Sequence, residues 1–347
     1  MVAKKERILF LDILNIVAII SVIALHMNGI VHTYSEGRSW ATSLIVECLC
    51  YFAVPIFFMV SGANLLNYRD KYDTKTFFKK RFTKVLVPSI FWIIIMILWK
   101  SSLNQIQFKN VSELLDAIFN NKVEYTYYFI WEILGIYLTL PIISKIIYNN
   151  GKMDNKILWY FVITFFLFNS FLPYIFSLFS INYNLAFSIR IGEYYIFVVL
   201  GYLLLNTDIK KKHRIILYIL GILCIIFRYT MTYFLSHKYG MLDRSTWGYT
   251  QFHSIILACV VFVFFKYLNL NKIKNNEKIC HIIQRVSSCS FGIYLIHLIV
   301  KYYETELFSL NIYSWKYRTI GIISTYLISL LIIMILKKIP IIKKIVA

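Results

Sequence analysis

The chain has 347 residues, 59% of them hydrophobic and 18% aromatic, and a formal charge of +20. A soluble domain is nearer about 45–50% apolar, so the composition excludes an ordinary soluble enzyme. The basic charge does not indicate nucleic acid, because it alternates loop by loop between apolar runs of about twenty residues, the length that crosses a bilayer. Taken in chain order, those runs predict ten spanning helices, at roughly 8–30, 41–66, 85–101, 126–148, 157–179, 190–206, 214–236, 250–269, 286–304 and 318–336. The fold class expected is therefore all-α, a polytopic membrane helix bundle forming one integral membrane domain over residues 1–347.

Charge placement orients the bundle. Of the 37 Lys and Arg residues, twenty-six fall in the N-terminus, the even-numbered loops and the C-terminus; ten fall on the other side and Arg228 lies within a span. The positive-inside rule then puts both termini in the cytoplasm. The excess charge reflects topology and anionic lipid. The first segment is too long for a signal-peptide core and lacks a small-x-small cleavage site, so it is expected to be a retained anchor. The six cysteines fall mostly within spans and show no metal-ligand spacing. No metal and no resident cofactor are expected.

The first span holds the most informative pattern. Asp12, Asn15 and His26 share one helical face through steps of three or four, a polar stripe in a segment that should be apolar. An ionisable group inside a span is by default a functional-site hypothesis. Running outward, the helix carries His26 about 27 Å from Ile8, near the outer surface, with Asp12 and Asn15 near the inner one. A helix-start carboxylate for Asp12 and an interfacial histidine for His26 are the competing structural readings. Further ionisable groups follow. Glu47 is in the second span, Glu132 beside Trp131 in the fourth, Arg228 deep in the seventh, and His253 opens the eighth. Most lie in the outer half of their spans. They predict a polar, outward-opening cavity ringed by His26, Glu47, Glu132 and Arg228, with His253 a further candidate. A structural salt bridge between Glu132 and Arg228 is the rival account. His297, near the middle of the ninth span, reads equally as a buried histidine bonded to a backbone carbonyl. On the inner side, Arg81 and Lys84 are three apart before Pro88. They suit an anion at a helix start, although positive-inside anchoring also explains them.

These segments resemble the acyltransferase-3 family of integral membrane O-acyltransferases. LDILNIVAIISVIALH (11–26) is similar to its first helix and FAVPIFFMVSGANLL (52–66) to its second. FKKRFTKVLVP (78–88) resembles its basic inner motif, YYFIWEILGIYLTLP (127–141) its fourth helix and SFGIYLIH (290–297) its ninth. The resemblance implies a cytoplasmic acyl-CoA donor, usually acetyl-CoA, and an acceptor hydroxyl on a cell-surface or lipid-linked glycan outside. It makes His26 the essential histidine and assigns the donor to the inner residues Asp12, Asn15, Arg81 and Lys84. The acceptor would meet Trp131 and His253. The chain departs from the family at Asn15, where Arg is usual, and at Thr126 and Tyr128, where His and Trp are frequent.

Histidine suits the chemistry because its unperturbed pKa lies near neutrality. His26 would take the acceptor's proton, Glu47 or Glu132 would orient it, and Arg228 would face the thioester oxygen. The rival class is a transporter or flippase, which also places ionisable groups in spans; no convincing internal repeat supports it. The Ile-, Lys- and Asn-rich usage points to an AT-rich bacterial genome, and hence to a bacterial cytoplasmic membrane. The glycan, the acyl group and the oligomeric state are not encoded in any motif.

Overall fold

A computed structural model describes residues 7–149, 152–183, 188–340 and 342–346. These residues form helices apart from one two-residue antiparallel pair, Tyr148–Asn149 with Lys152–Met153. The helices in chain order are α1 (Leu9–Met27), α2 (Arg38–Cys50), α3 (Ala53–Leu65), α4 (Thr74–Arg81), α5 (Val87–Ser102), α6 (Val111–Phe119), α7 (Tyr128–Ile146) and α8 (Asn155–Phe165). They continue with α9 (Leu172–Leu178), α10 (Tyr195–Asn206), α11 (Lys211–Tyr239), α12 (Phe252–Lys266), α13 (Asn271–Lys274), α14 (Glu277–Ser287), α15 (Ser290–Leu307) and α16 (Ile320–Leu336).

Six stretches are long and apolar enough to cross a membrane: Leu9–Met27, Arg38–Asp70, Thr74–Ser102, Tyr125–Ile146, Asn155–Leu178 and Lys211–Tyr239. The pair α14 and α15, bent by 56°, makes a seventh, and α10, α12 and α16 are shorter apolar helices at the three remaining expected positions. Every expected span thus has its helix. The 12-residue α10 rises only about 18 Å, less than the ~30 Å hydrocarbon thickness, so it does not cross by itself.

Local chemistry starts the helices where the chain leaves the loops. Asp73, Asn110, Asp154 and Asn276 each accept a backbone N–H of the first turn of α4, α6, α8 and α14, as N-cap residues do. Between α4 and α5 the helix widens into a π-turn over Phe82–Leu86, just before Pro88, whose missing N–H disfavours a regular α-turn there. The basic motif therefore lies inside a continuous helical run. This corrects the expected helix start at Arg81 and Lys84: the amide of Phe82 already donates to Phe78 and Lys79 carbonyls, so no free N-terminus faces an anion.

α1 is the central helix, packed by α3, α12, α14, α15 and α16, with 67% of its apolar window buried. The run Asn155–Leu178 and α11 bury only 17% and 22% and turn isoleucine and phenylalanine outward, as lipid-facing helices do. The closest packing joins α3 and α10. A Cβ on Gly62 would sit 1.8 Å from the Val198 carbonyl oxygen, and one on Gly201 would sit 1.9 Å from that of Met59. Only glycine permits this mutual backbone approach, the small-residue device of membrane helix pairs.

Side-chain bonds respect the two sides inferred from charge. At the inner end Asn15 meets Ser287, Arg69 meets Ser144 and the Pro141 carbonyl, and Lys337 donates to the Ser288 carbonyl. At the outer end Lys100 meets Glu124, Arg318 meets the Ser39 carbonyl, and Lys301 meets the His26 carbonyl. Each bond joins groups assigned to the same side.

Candidate active site

The polar stripe of α1 divides into two ends with different partners. At the inner end the buried Asp12 forms an ion pair with Arg7, whose Nε and Nη2 lie 2.9 and 2.6 Å from Oδ1. Asn15 donates to the Ser287 hydroxyl at 3.5 Å, a long bond. Arg81 stands over Tyr137, its Cζ 5.5 Å from the ring centre, and the exposed Lys84 feels the positive fields of Arg81, Lys80 and Arg7. The inner face is thus strongly cationic, and Arg7 places a guanidinium near the helix position where Asn15 lacks one.

At the outer end His26 is hydrogen-bonded to His297. Its Nδ1 is 2.6 Å from His297 Nε2, and the two rings are within 10° of parallel. The network assigns the protons. His297 Nδ1 lies 2.7 Å from the Tyr294 carbonyl, which can only accept. His297 therefore carries its proton on Nδ1 and presents a lone pair at Nε2, so His26 Nδ1 must be the donor. That leaves the lone pair of His26 on Nε2, an atom with no hydrogen bond among the described residues. A histidine so oriented is a ready general base. His297 is thus buried and bonded to a backbone carbonyl, and through its other nitrogen it fixes the tautomer of His26.

His26 stands below the outer end of its neighbour α15. α15 continues ten residues past His297, about 15 Å at ~1.5 Å per residue. The ring therefore lies at the foot of a vestibule. Two cavities open there, of about 790 and 380 Å³, and among the described residues His26 is the one that lines both. The larger is aromatic, with Tyr51, Tyr128, Tyr194, Trp247 and Tyr249 on its walls and Glu193 and Arg244 among its charged groups. Burial, then the charges of Arg244 and Lys301, hold His32 on its wall below the ordinary histidine value. The smaller cavity lies between the outer ends of α1, α5 and α15 and carries Lys100 and Lys301.

Several expected residues take other places. Glu47 is buried and lines the larger cavity with His26. Arg228, 2% exposed, faces Glu47 at 3.8 Å and not Glu132. Its Cζ is 3.4 Å from the centre of the Tyr51 ring, whose other face stacks on Tyr249 at 4.3 Å. Arg228 thus supports an aromatic wall from behind and lines neither cavity. Glu132 lies on an exposed face of α7, outside both cavities, because helix phase turns Ile133 and Ile136 inward in its place. Trp131 packs on Phe119 of α6, also outside. Five and three residues earlier, Thr126 and Tyr128, on the turn where the chain enters α7, line the larger cavity instead. His253 is buried, 3.0 Å from Gln251 Oε1 and 3.2 Å from the Ser254 hydroxyl; it ties down the loop that carries Trp247 and Tyr249 rather than lining the cavity.

The sequence shows Lys301 only as an ionisable group at the outer end of the ninth span, and of these tyrosines only Tyr128 stands out, as a departure from the family. The signal was present in part: His297 and Lys301 are four apart and share a face of α15, as the polar groups of α1 do. Tyr127 and Tyr294 clamp the start of α7 to α15 through the Leu295 and Thr126 carbonyls. Nothing in their spacing announces that contact. Among the described residues no group of His, Cys, Asp and Glu is arranged to hold a metal ion.

A family model described as an acyltransferase domain matches residues 8–334, nearly the whole chain and all ten apolar segments. No curated protein and no solved structure gives a significant match.

Proposed function

We propose, for a chain that belongs to the acyltransferase-3 family, that it transfers an acyl group from acyl-CoA to a glycan hydroxyl on the outer side of the membrane. The observation that carries this reading is the His26–His297 pair at the meeting point of two cavities. An acyl thioester is already activated, so the chemistry needs a base, a positioned hydroxyl and relief of charge on the carbonyl oxygen. His26 Nε2 takes the hydroxyl proton as the hydroxyl oxygen attacks the thioester carbon. The tetrahedral intermediate collapses, the C–S bond breaks, and the imidazolium returns the proton to the departing thiolate. The products are the ester and free CoA.

The aromatic walls of the larger cavity suit a sugar, whose C–H faces pack on rings while its hydroxyls meet Thr126, Glu193 and Arg244. The inner cations Arg7, Arg81 and Lys84, with Asp12 holding Arg7, suit the phosphates of a cytoplasmic donor. Asn15, at the foot of the stripe, shares the helix face that leads to His26. Acetyl-CoA is the donor and a bacterial envelope glycan the acceptor in this reading, with the protein in the cytoplasmic membrane.

The test is label transfer by purified protein from labelled acetyl-CoA to a panel of surface glycans. Wild type is expected to transfer and His26→Ala to fall by about 10²-fold or more, the usual scale of a lost general base. Transfer that survives the substitution would overturn the role of His26.

A further inference from the structure

The smaller cavity differs in its chemistry from the aromatic one. Lys301 sits four residues beyond His297 on α15, half-buried in a spanning helix, with its ammonium 2.7 Å from the His26 carbonyl. Among the described residues no carboxylate lies within ion-pair distance of it. A cation in a spanning helix persists where it is paired or reaches a wet cavity. One main-chain carbonyl uses one of its three N–H donors and carries no full negative charge.

The neighbouring carboxylates do not pair with it directly, and Glu124 acts on it only at a distance. Glu124 is paired with Lys100 at 2.8 Å, and Lys100 also donates to the Val123 carbonyl. Glu306 lines the cavity but is exposed to water, where its charge is screened. Trp99 packs edge-on against Tyr302 beside the cavity, the kind of aromatic pairing that marks the outer membrane interface, where lipid phosphates lie.

We propose that this cavity is an anion subsite that takes a phosphate group carried by the acceptor, with Lys301 as its anchor and Lys100 beside it. The inference rests on the acyltransferase reading given above and names the acceptor's second feature. Because His26 alone among the described residues is common to both cavities, an acceptor with its sugar on the aromatic walls and its phosphate at Lys301 must pass the base. The phosphate has two chemical sources: the group linking a sugar to a lipid, or a phosphodiester within a soluble polymer.

The test uses the full-length protein in nanodiscs, as wild type, Lys301→Gln and Lys301→Arg. The acceptors are one sugar in three forms: uncharged, as its decyl phosphodiester and as its methyl phosphodiester. Wild type is expected to show a KM about tenfold or more lower for a phosphodiester than for the uncharged sugar. Lys301→Gln should erase that advantage and leave the uncharged KM in place, while Lys301→Arg should keep it. An advantage for the decyl form alone assigns the subsite to a lipid phosphate; an advantage for both forms assigns it to phosphate within the polymer. Equal KM values for all three forms in wild type, or a Lys301→Gln effect confined to kcat with the KM ratio intact, would overturn the proposal and leave Lys301 as a residue that positions His26. A second readout needs no turnover: methyl phosphodiester should raise the melting temperature of wild type and of Lys301→Arg but not of Lys301→Gln. Loss of acyl transfer in every form with that thermal shift preserved would count against the acyltransferase reading and not against the subsite.

Discussion

His26 and His297 are 271 residues apart in sequence and 2.6 Å apart in space. The chain of acceptors that ends at the Tyr294 carbonyl sets the tautomer of both rings. Removing His297 therefore leaves His26 in place but free to rotate and to carry its proton on either nitrogen. Partners that orient a functional histidine in this way are worth about 10–100-fold. His297→Ala is expected to lower kcat by that factor with little change in either KM, read from initial rates with both substrates varied. A KM effect at constant kcat would make His297 part of a binding wall instead. Arg228 behaves differently at the same scale. Its guanidinium supports Tyr51 from behind the larger cavity, so its loss acts through the aromatic wall and not through the base.

Helix pairs decide where these residues meet. α3 and α10 approach until the Gly62 and Gly201 backbones touch the opposing carbonyls, and α3 in turn packs on α1. A side chain at Gly62 cannot be accommodated by a rotamer change, because the obstacle at 1.8 Å is main chain. Gly62→Val is expected to destabilise the protein by about 3 kcal/mol or more, at or beyond the upper end of ordinary overpacking. Gly135→Ala is the matched control, since a Cβ there meets nothing within 4 Å and alanine favours the helix. Thermal unfolding in detergent checks both: the first should melt earlier or fail to accumulate, and the second should match or exceed wild type. The bend between α14 and α15 is the other deciding feature. It turns the amphipathic α14 aside at the inner end, so that α15 starts near Asn15 and carries His297 to the level of His26.

For the whole molecule, the bias of basic residues and the pairing of outer with outer and inner with inner groups describe one orientation. Phosphatase fusions test it. A fusion at Lys109, between α5 and α6, should be active outside, and one at Lys272, between α12 and α14, should be inactive inside; the reverse pattern would invert the bundle and put His26 on the cytoplasmic side. The positions and order of the apolar helices and the polar stripe of α1 were legible in the sequence, because hydropathy and helical periodicity are local quantities read segment by segment. The family membership was legible in the same segments. Partner choice was not. Periodicity places Glu132 on a helix face but does not say whether that face meets lipid or protein, and it turned out to be exposed. Arg228 found Glu47 and Tyr51 in place of Glu132. Trp131 yielded its expected place to Thr126 and Tyr128. The sequence by itself determined that a histidine would stand on the outer half of a polar helix. Only the tertiary structure decided that His297 would hold it, that Lys301 would lie beside it and that two cavities would converge on it, because those contacts depend on the rotation and depth of helices that are far apart in the chain.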